Sequence, residues 1–396
     1  MTANATGNTG GDAPADGPGD DARTGSLEEA LLDLRRGIDA TDDAILELLN
    51  RRAAYSLEVG RRKDGRDSAI FKPFREQEVL DRLTGQNPGP LPAAHLLSIY
   101  REILSSSRRL QRPERVAYLG PEGTFSHFAA MAALGHSPDF LPQPTIGDVF
   151  AAVAAKQADL GVVPLENSLQ GTVGQSLDNF QRHAVFIQAE ISCRVSHALL
   201  SMATDLGAID TVYSHPQPLA QCAAWLKTHL PAARVIPTDS TAAAAARLAA
   251  EPRAASIGHV KLAAMHGLHV LASPIEDLPD NWTRFFIIGP EDTKQQTRDK
   301  TSILFTVPNR PGALYQVLSH LAGEGINLTK LESRPIRGEK WQYVFFADLQ
   351  CDITREEYKK LLATLKEQTH SLRILGCYPA GRQVDLADGD TGKTEA

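Results

Sequence analysis

No apolar run in this chain is long enough to span a bilayer, and its 396 residues hold no CxxC pair and no Cys/His spacing of a metal site. The four cysteines, Cys193, Cys222, Cys351 and Cys377, are scattered, which suits reduced thiols better than a disulfide framework. No structural metal is expected. The chain also lacks a basic excess: its net charge of −7 argues against general binding to nucleic acid or to a membrane surface. Residues 1–25 lack the apolar core of a signal peptide and are mostly small and polar, so they read as a disordered tail. Together these absences predict a cytoplasmic protein whose partners are small molecules or other protein chains. What is present, 42% hydrophobic and 22% charged residues, is ordinary for a globular protein, and the length exceeds what one core supports. Two to four domains are expected, roughly one per 100–200 residues.

Ser26 with Glu29 reads as a capping box, after which Leu27, Leu31, Leu34, Ile38, Ile45, Leu48 and Leu49 recur at helical spacing. The pattern predicts one helix from about residue 27 to 63, roughly 55 Å long at 1.5 Å per residue. That exceeds a small domain's width, so the apolar stripe calls for helices from another copy of the chain. Shorter helices are expected over 75–83 and 93–112. From Arg115 short apolar strands alternate with Ala-rich helices, which predicts α/β architecture with substantially parallel sheets. After a polar linker over 291–299, the order strand, helix, strand, strand, helix, strand predicts a ferredoxin-like α+β sandwich over 300–380. The polar residues 381–396 are expected to fray.

On the long helix Arg52 and Lys63 are eleven residues apart and return to within about 20° of one face, so both can meet one ligand. Arg35 points about 100° away from Arg52 and can serve a partner's site instead. Arg75 and Glu76 open the second helix, and Ser107 and Gln111 sit at i and i+4 on the third. These groups suit a dianion carrying an ether or a hydroxyl, not metal or nucleophilic chemistry. Their pattern, LxxLRxxIDxxDxxILxLLxxR followed by EVGxxK and RExxVL, resembles the all-helical chorismate mutases over about residues 27–112. The resemblance implies a pocket lined by Arg35 from the partner chain, Arg52, Lys63, Arg75, Glu76, Ser107 and Gln111. Chorismate rearranges to prephenate in one pericyclic step, so such a pocket need only hold the folded conformer and stabilise charge at the breaking ether oxygen. Lys63 and Gln111 would donate to that oxygen, the arginines would clamp carboxylates, and Glu76 would take the ring hydroxyl. Lys72 departs from the acidic residue that relatives often carry.

Four strings lie at strand ends of the α/β region, where such folds place ligands: Gly120 to Ser126, Pro164 to Thr172, Ser214 to Pro218, and Asn281 to Phe285. The first lacks the Gly-Lys-Ser/Thr of a nucleotide loop. In the last, a hydroxyl (Thr283) stands beside a permanent cation (Arg284), a pairing that suits an anionic substrate. In order and spacing the four resemble prephenate dehydratase over about 115–290. The resemblance implies two α/β lobes like a periplasmic binding protein, with prephenate in the cleft, losing its ring hydroxyl and carbon dioxide to leave phenylpyruvate. Thr283 would donate to the leaving hydroxyl, with Arg284 supporting it or holding a carboxylate. Thr124, Ser126, Asn167, Ser168, Thr172, Ser214, Gln217 and Phe285 would bind substrate. His215 precedes a proline and reads as structural.

Asn309 to Leu314 and Leu331 to Pro335 resemble the two loops of the ACT domain. That resemblance implies feedback inhibition by L-phenylalanine bound between two such domains at Gly312, Ala313, Leu314, Glu332 and Ser333. The whole reads as a mutase domain (26–113), a dehydratase domain (114–290) and a sensor domain (300–380), with no cofactor and at least a dimer. Two alternatives stay open: a dehydratase whose helices only dimerise, and a non-enzymatic amino-acid-sensing binding protein.

Overall fold

The computed structural model describes residues 21–62, 71–292, 298–336 and 342–386, and the chain divides into two compact units after Arg62. The first unit holds one unbroken helix, α1 (Asp21–Arg62). It begins before Ser26, so the Ser26–Glu29 pair lies inside the helix rather than capping it, and residues 21–25 are helical instead of disordered. Its apolar side chains stay exposed, with Leu34 at 66% and Ile38 at 60%. A helix whose apolar stripe is exposed is incomplete as a folding unit.

The second unit opens with the helices α2 (Pro73–Gln86) and α3 (Ala93–Gln111). Pro73 occupies the first turn of α2, where its missing N–H costs nothing. The Arg108 guanidinium, buried on α3, pairs with Glu76 of α2 and lies 3.0 Å from Glu114, next to the first strand. Truncating it would strand two carboxylates in a poorly solvated place.

Two sheets follow. The first runs in the order Arg382–Asp385, Phe186–Arg194, Trp282–Gly289, Leu160–Asn167, Arg115–Leu119, Asp139–Gln143, with Gly171–Thr172 attached to Leu160–Asn167. The second runs His269–Ala272, Ala198–Ser201, Ala254–Gly258, Thr211–Ser214, Arg234–Pro237. Parallel pairing, expected for a substantial part of the sheets, holds where helices link successive strands. It fails at Trp282–Gly289, which returns from the second sheet and lies antiparallel between Leu160–Asn167 and Phe186–Arg194. That return strand carries Thr283 and Arg284.

The expected frayed tail is also corrected in part. Residues Arg382–Asp385 form an edge strand parallel to Phe186–Arg194, and Leu386 is buried; 387–396 lie outside the described residues, as do 1–20. Polar composition misled because an edge strand can tie itself down through its backbone.

The C-terminal sheet is antiparallel throughout, in the order Leu328–Pro335, Tyr343–Leu349, Lys300–Thr306, Ser371–Tyr378, with helices Ala313–Gly323 and Lys359–Gln368. This is the expected ferredoxin-like order. Strand alternation sends Ile303 and Phe305 towards its own helices, while Leu304, Phe346 and Tyr378 join Phe286 and Ile288 in one core. The C-terminal sheet is thereby packed on the first sheet of the α/β region. Gly376 lies against the Ile187 carbonyl, so close that a β-carbon there would collide with it.

Candidate functional site

Thr283 stands directly opposite Asn167 in the antiparallel ladder. The Asn167 amide donates to Thr283 Oγ1 at 3.0 Å, to Asn281 Oδ1 at 2.6 Å and to the Trp282 carbonyl at 3.2 Å. Its own Oδ1 accepts from the backbone N–H groups of Leu169 and Gln170, both at 3.1 Å. Asn167 is buried, and these bonds hold one orientation of its amide. Because Thr283 Oγ1 already accepts a hydrogen bond, its own proton is left to point elsewhere. Asn281, buried at 2% exposure, holds Asn167 but leaves its own Nδ2 without a partner. Asn281 stood in the motif without a role, since nothing in sequence spacing shows which amide will face which across 114 residues.

Arg284, one residue on, faces the other way, as alternation requires. Its side chain is 12% exposed and meets three carboxylates: Glu166 Oε1 at 3.1 Å, Glu190 Oε2 at 3.0 Å without hydrogen-bond alignment, and Asp348 of the C-terminal sheet. Burial works against the guanidinium charge, but Asp348 and Glu190 outweigh it and hold the pKa above its usual value. Arg284 is thus engaged with protein carboxylates, which favours the first of its two expected roles, supporting Thr283, over holding a substrate carboxylate. Neither Asp348 nor Glu190 carried a sequence signal.

The loop residues divide. Thr124 caps the helix Phe125–Leu134, accepting from His127 N at 3.4 Å and donating to the Leu119 carbonyl at 2.9 Å. Ser126 is buried on that helix. Ser168 ties the two strands together, accepting from Trp282 N at 2.9 Å and donating to the Asp280 carbonyl at 3.2 Å. Ser214 is fully buried, its hydroxyl given to the Ile257 carbonyl at 2.7 Å, so it braces the second sheet rather than meeting ligand. Gln217 is half-buried in the first turn of Pro216–Gln221, whose N-terminus His215 caps through Nδ1, the structural role expected of that histidine. Thr172 leaves the substrate set: its hydroxyl meets Lys330 at 2.7 Å and Glu332 at 3.0 Å. Phe285 leaves it too, since at 2% exposure it packs in the core with Phe128 and Ile287. Plain alternation puts it on the face of Thr283 and Ile287, where the core of the α/β region covers it.

Of the mutase residues, Arg35 and Arg52 lie on α1 in the first unit, and Lys63 lies outside the described residues. Arg75 is exposed and pairs with Glu78 at 3.1 Å. Ser107 donates to the Ile103 carbonyl at 2.7 Å, and Gln111 to the Ser107 carbonyl at 3.3 Å. Glu76 pairs with Arg108, a partner that sequence spacing did not reveal and that competes with its expected role of taking a ring hydroxyl.

In the C-terminal module Gly312 adopts a left-handed φ of 82° and caps Ala313–Gly323, with Ala313 buried and Leu314 half-buried. Only a residue without a β-carbon turns there cheaply. Ser333 is exposed on the edge strand, and Glu332 accepts a hydrogen bond from Thr172 of the α/β region.

Comparison with known proteins bears on all three modules. Family models match in order: chorismate mutase type II over residues 34–112, prephenate dehydratase over 116–293 and the ACT domain over 301–367. The bifunctional chorismate mutase/prephenate dehydratase of Aquifex aeolicus is 42% identical over 355 residues, covering 89% of this chain and 98% of its own. A solved prephenate dehydratase from Arthrobacter aurescens, in complex with L-Phe, matches with a TM-score of 0.62 at 32% identity, over 70% of this chain and 92% of its own. A structure described as a novel type of quorum quenching acylase matches with the same TM-score at 29% identity, over 67% of this chain and 98% of its own. Both enzymatic domains and the sensor domain are thus accounted for along one chain. On identity and coverage together, the chain belongs to the bifunctional chorismate mutase/prephenate dehydratase family.

Proposed function

We propose that Thr283 is the proton or hydrogen-bond donor to the leaving hydroxyl of prephenate, with Asn167 and Asn281 orienting it. One observation carries this reading: the Asn167 amide donates to Thr283 Oγ1, leaving the threonine proton available to a ligand. A threonine is too weak an acid to transfer its proton in advance, so transfer is concerted with loss of carbon dioxide. The unpartnered Asn281 Nδ2 is a second donor beside it. Gln217 and Ser126 remain in the substrate set, Thr124 and Ser168 shape the loops, and Arg284 acts from behind the strand.

The mutase step is assigned to Arg35, Arg52, Lys63, Arg75, Ser107 and Gln111, with Glu76 shared with Arg108. The exposed apolar stripe of α1 supports a helical homodimer in which the partner's Arg35 completes the pocket. Phenylalanine is assigned to the Gly312 to Leu314 turn and Ser333 across two sensor domains, and the protein to the cytoplasm. The test is product analysis. Wild-type protein should turn chorismate into phenylpyruvate and slow when phenylalanine is added. Prephenate accumulating without phenylpyruvate in Thr283→Val would support the threonine assignment; unchanged phenylpyruvate would end it.

A further inference from the structure

The face of the first sheet turned away from Thr283 carries a charge cluster that the reaction as proposed does not use. Two neighbouring pairs cross the same two strands: Thr283 opposite Asn167, then Arg284 opposite Glu166. Successive residues face opposite sides of a strand, so the first pair serves the substrate side and the second meets the C-terminal domain. There Asp348, with no exposed surface, pairs with Arg284, and Lys300 Nζ lies 3.0 Å from Glu190 and 3.5 Å from Asp348. Lys330 pairs with Glu166 and donates to Thr172 at 2.7 Å. Asp348 also accepts from Ser302, whose hydroxyl meets that of Tyr378.

The charges in this cluster are complementary. The α/β region contributes one cation, Arg284, and two carboxylates, Glu166 and Glu190; the C-terminal sheet contributes two cations, Lys300 and Lys330, and one carboxylate, Asp348. Among these directly ion-paired groups each side alone carries one unit of unbalanced charge, and together they cancel; Glu332 stands outside the pairing, hydrogen-bonded to Thr172. The unbalanced charge on the α/β side is negative and lies one strand thickness from the place assigned to a dianion. In a poorly solvated setting that repulsion is not screened away.

We propose that Lys330, Lys300 and Asp348 are positioning residues for the dehydratase site: the lysines neutralise the carboxylates behind it, and Asp348 fixes Arg284 and with it the strand that presents Thr283. The inference rests on the assignment of prephenate to the Thr283 face. It gives the C-terminal domain a part in turnover when no effector is bound, and any change in how its sheet sits on the α/β region alters the charge behind the substrate.

Steady-state kinetics of the full-length protein test this, with chorismate mutase activity and far-UV circular dichroism as controls for folding. Lys330→Met should raise KM for prephenate roughly tenfold with kcat changed by less than about threefold, the signature of lost charge compensation. Adding Glu166→Gln to Lys330→Met restores the balance and should bring KM back to within about threefold of wild type. Asp348→Asn should lower kcat roughly tenfold without raising KM. An unchanged KM in Lys330→Met, or a double variant worse than the single one, would overturn the proposal. So would losses that follow the folded fraction. Failure of the wild type to consume prephenate at all would instead overturn the dehydratase assignment on which the proposal stands.

Discussion

Replacing Thr283 by valine keeps the size and β-branching of the side chain and removes one hydroxyl. The cost to stability follows from what that hydroxyl does in the free protein. It accepts one hydrogen bond from the Asn167 amide, which has two other acceptors within 3.2 Å, Asn281 Oδ1 and the Trp282 carbonyl. The amide is therefore not orphaned, and the loss should be about 1 kcal/mol, a shift of roughly 2–4 °C in Tm. The cost to catalysis is of another size. A donor aimed at charge that develops on the leaving oxygen is worth about 3–4 kcal/mol, so kcat for prephenate should fall roughly 100- to 1000-fold. Thr283→Ser keeps the hydroxyl and should stay within about tenfold of wild type. The assay is stopped-time formation of phenylpyruvate at saturating prephenate, read beside thermal melts of all three proteins. If Thr283→Val keeps kcat within about fivefold of wild type, the hydroxyl is not the donor. If it loses activity and melts lower by far more than a few degrees, the threonine is a structural residue and the reading fails in a different way.

Other consequences are as definite. Truncation after Pro379 removes the edge strand Arg382–Asp385 and the Arg382 bond to the Ala132 carbonyl, so chemical denaturation should show clear destabilisation where a frayed tail would show none. Phe285→Ala should cost about 3–5 kcal/mol in the same assay through the cavity it leaves, with no selective rise in KM, since the ring packs in the core. Stability should also fall in acid. Burial holds His127, His197 and His259 below the usual histidine value, His259 at about 3. The unfolded chain takes up protons that the folded chain refuses, so the full stability present above pH ~6.5 is lost progressively as pH drops towards 3. For His259 alone that amounts to about 2 kcal/mol at pH 5. His259→Asn, whose side chain can still accept from Lys261 N, should flatten the slope of a urea-denaturation series between pH 4 and 7.

The long helix, the βαββαβ order and the strand-end motifs were legible because each is a local pattern: a period of 3.6 or 2, a glycine before a helix, a motif after an apolar run. The errors share a cause. Motif membership places Phe285 and Thr172 near the site, but what covers each of them, the core for Phe285 and Lys330 with Glu332 for Thr172, comes from segments distant in sequence. Sequence alone leaves Arg284 either supporting Thr283 or holding a substrate carboxylate. Its partners come from residues 166, 190 and 348, which only folding brings together.

Sequence by itself thus determined the three modules and their order, since periodicity, composition and motif spacing are properties of consecutive residues, and the resemblance of those motifs to known families implied the chemistry of each. Tertiary structure alone decided that Thr283 accepts from Asn167 and so has a proton to give, and that Ser214 and Phe285 are spent on the core. It also decided that the C-terminal sheet supplies the charges balancing Glu166 and Glu190. Hydrogen bonds and ion pairs act over a few ångströms of space, and the chain puts more than a hundred residues between the partners that make this site.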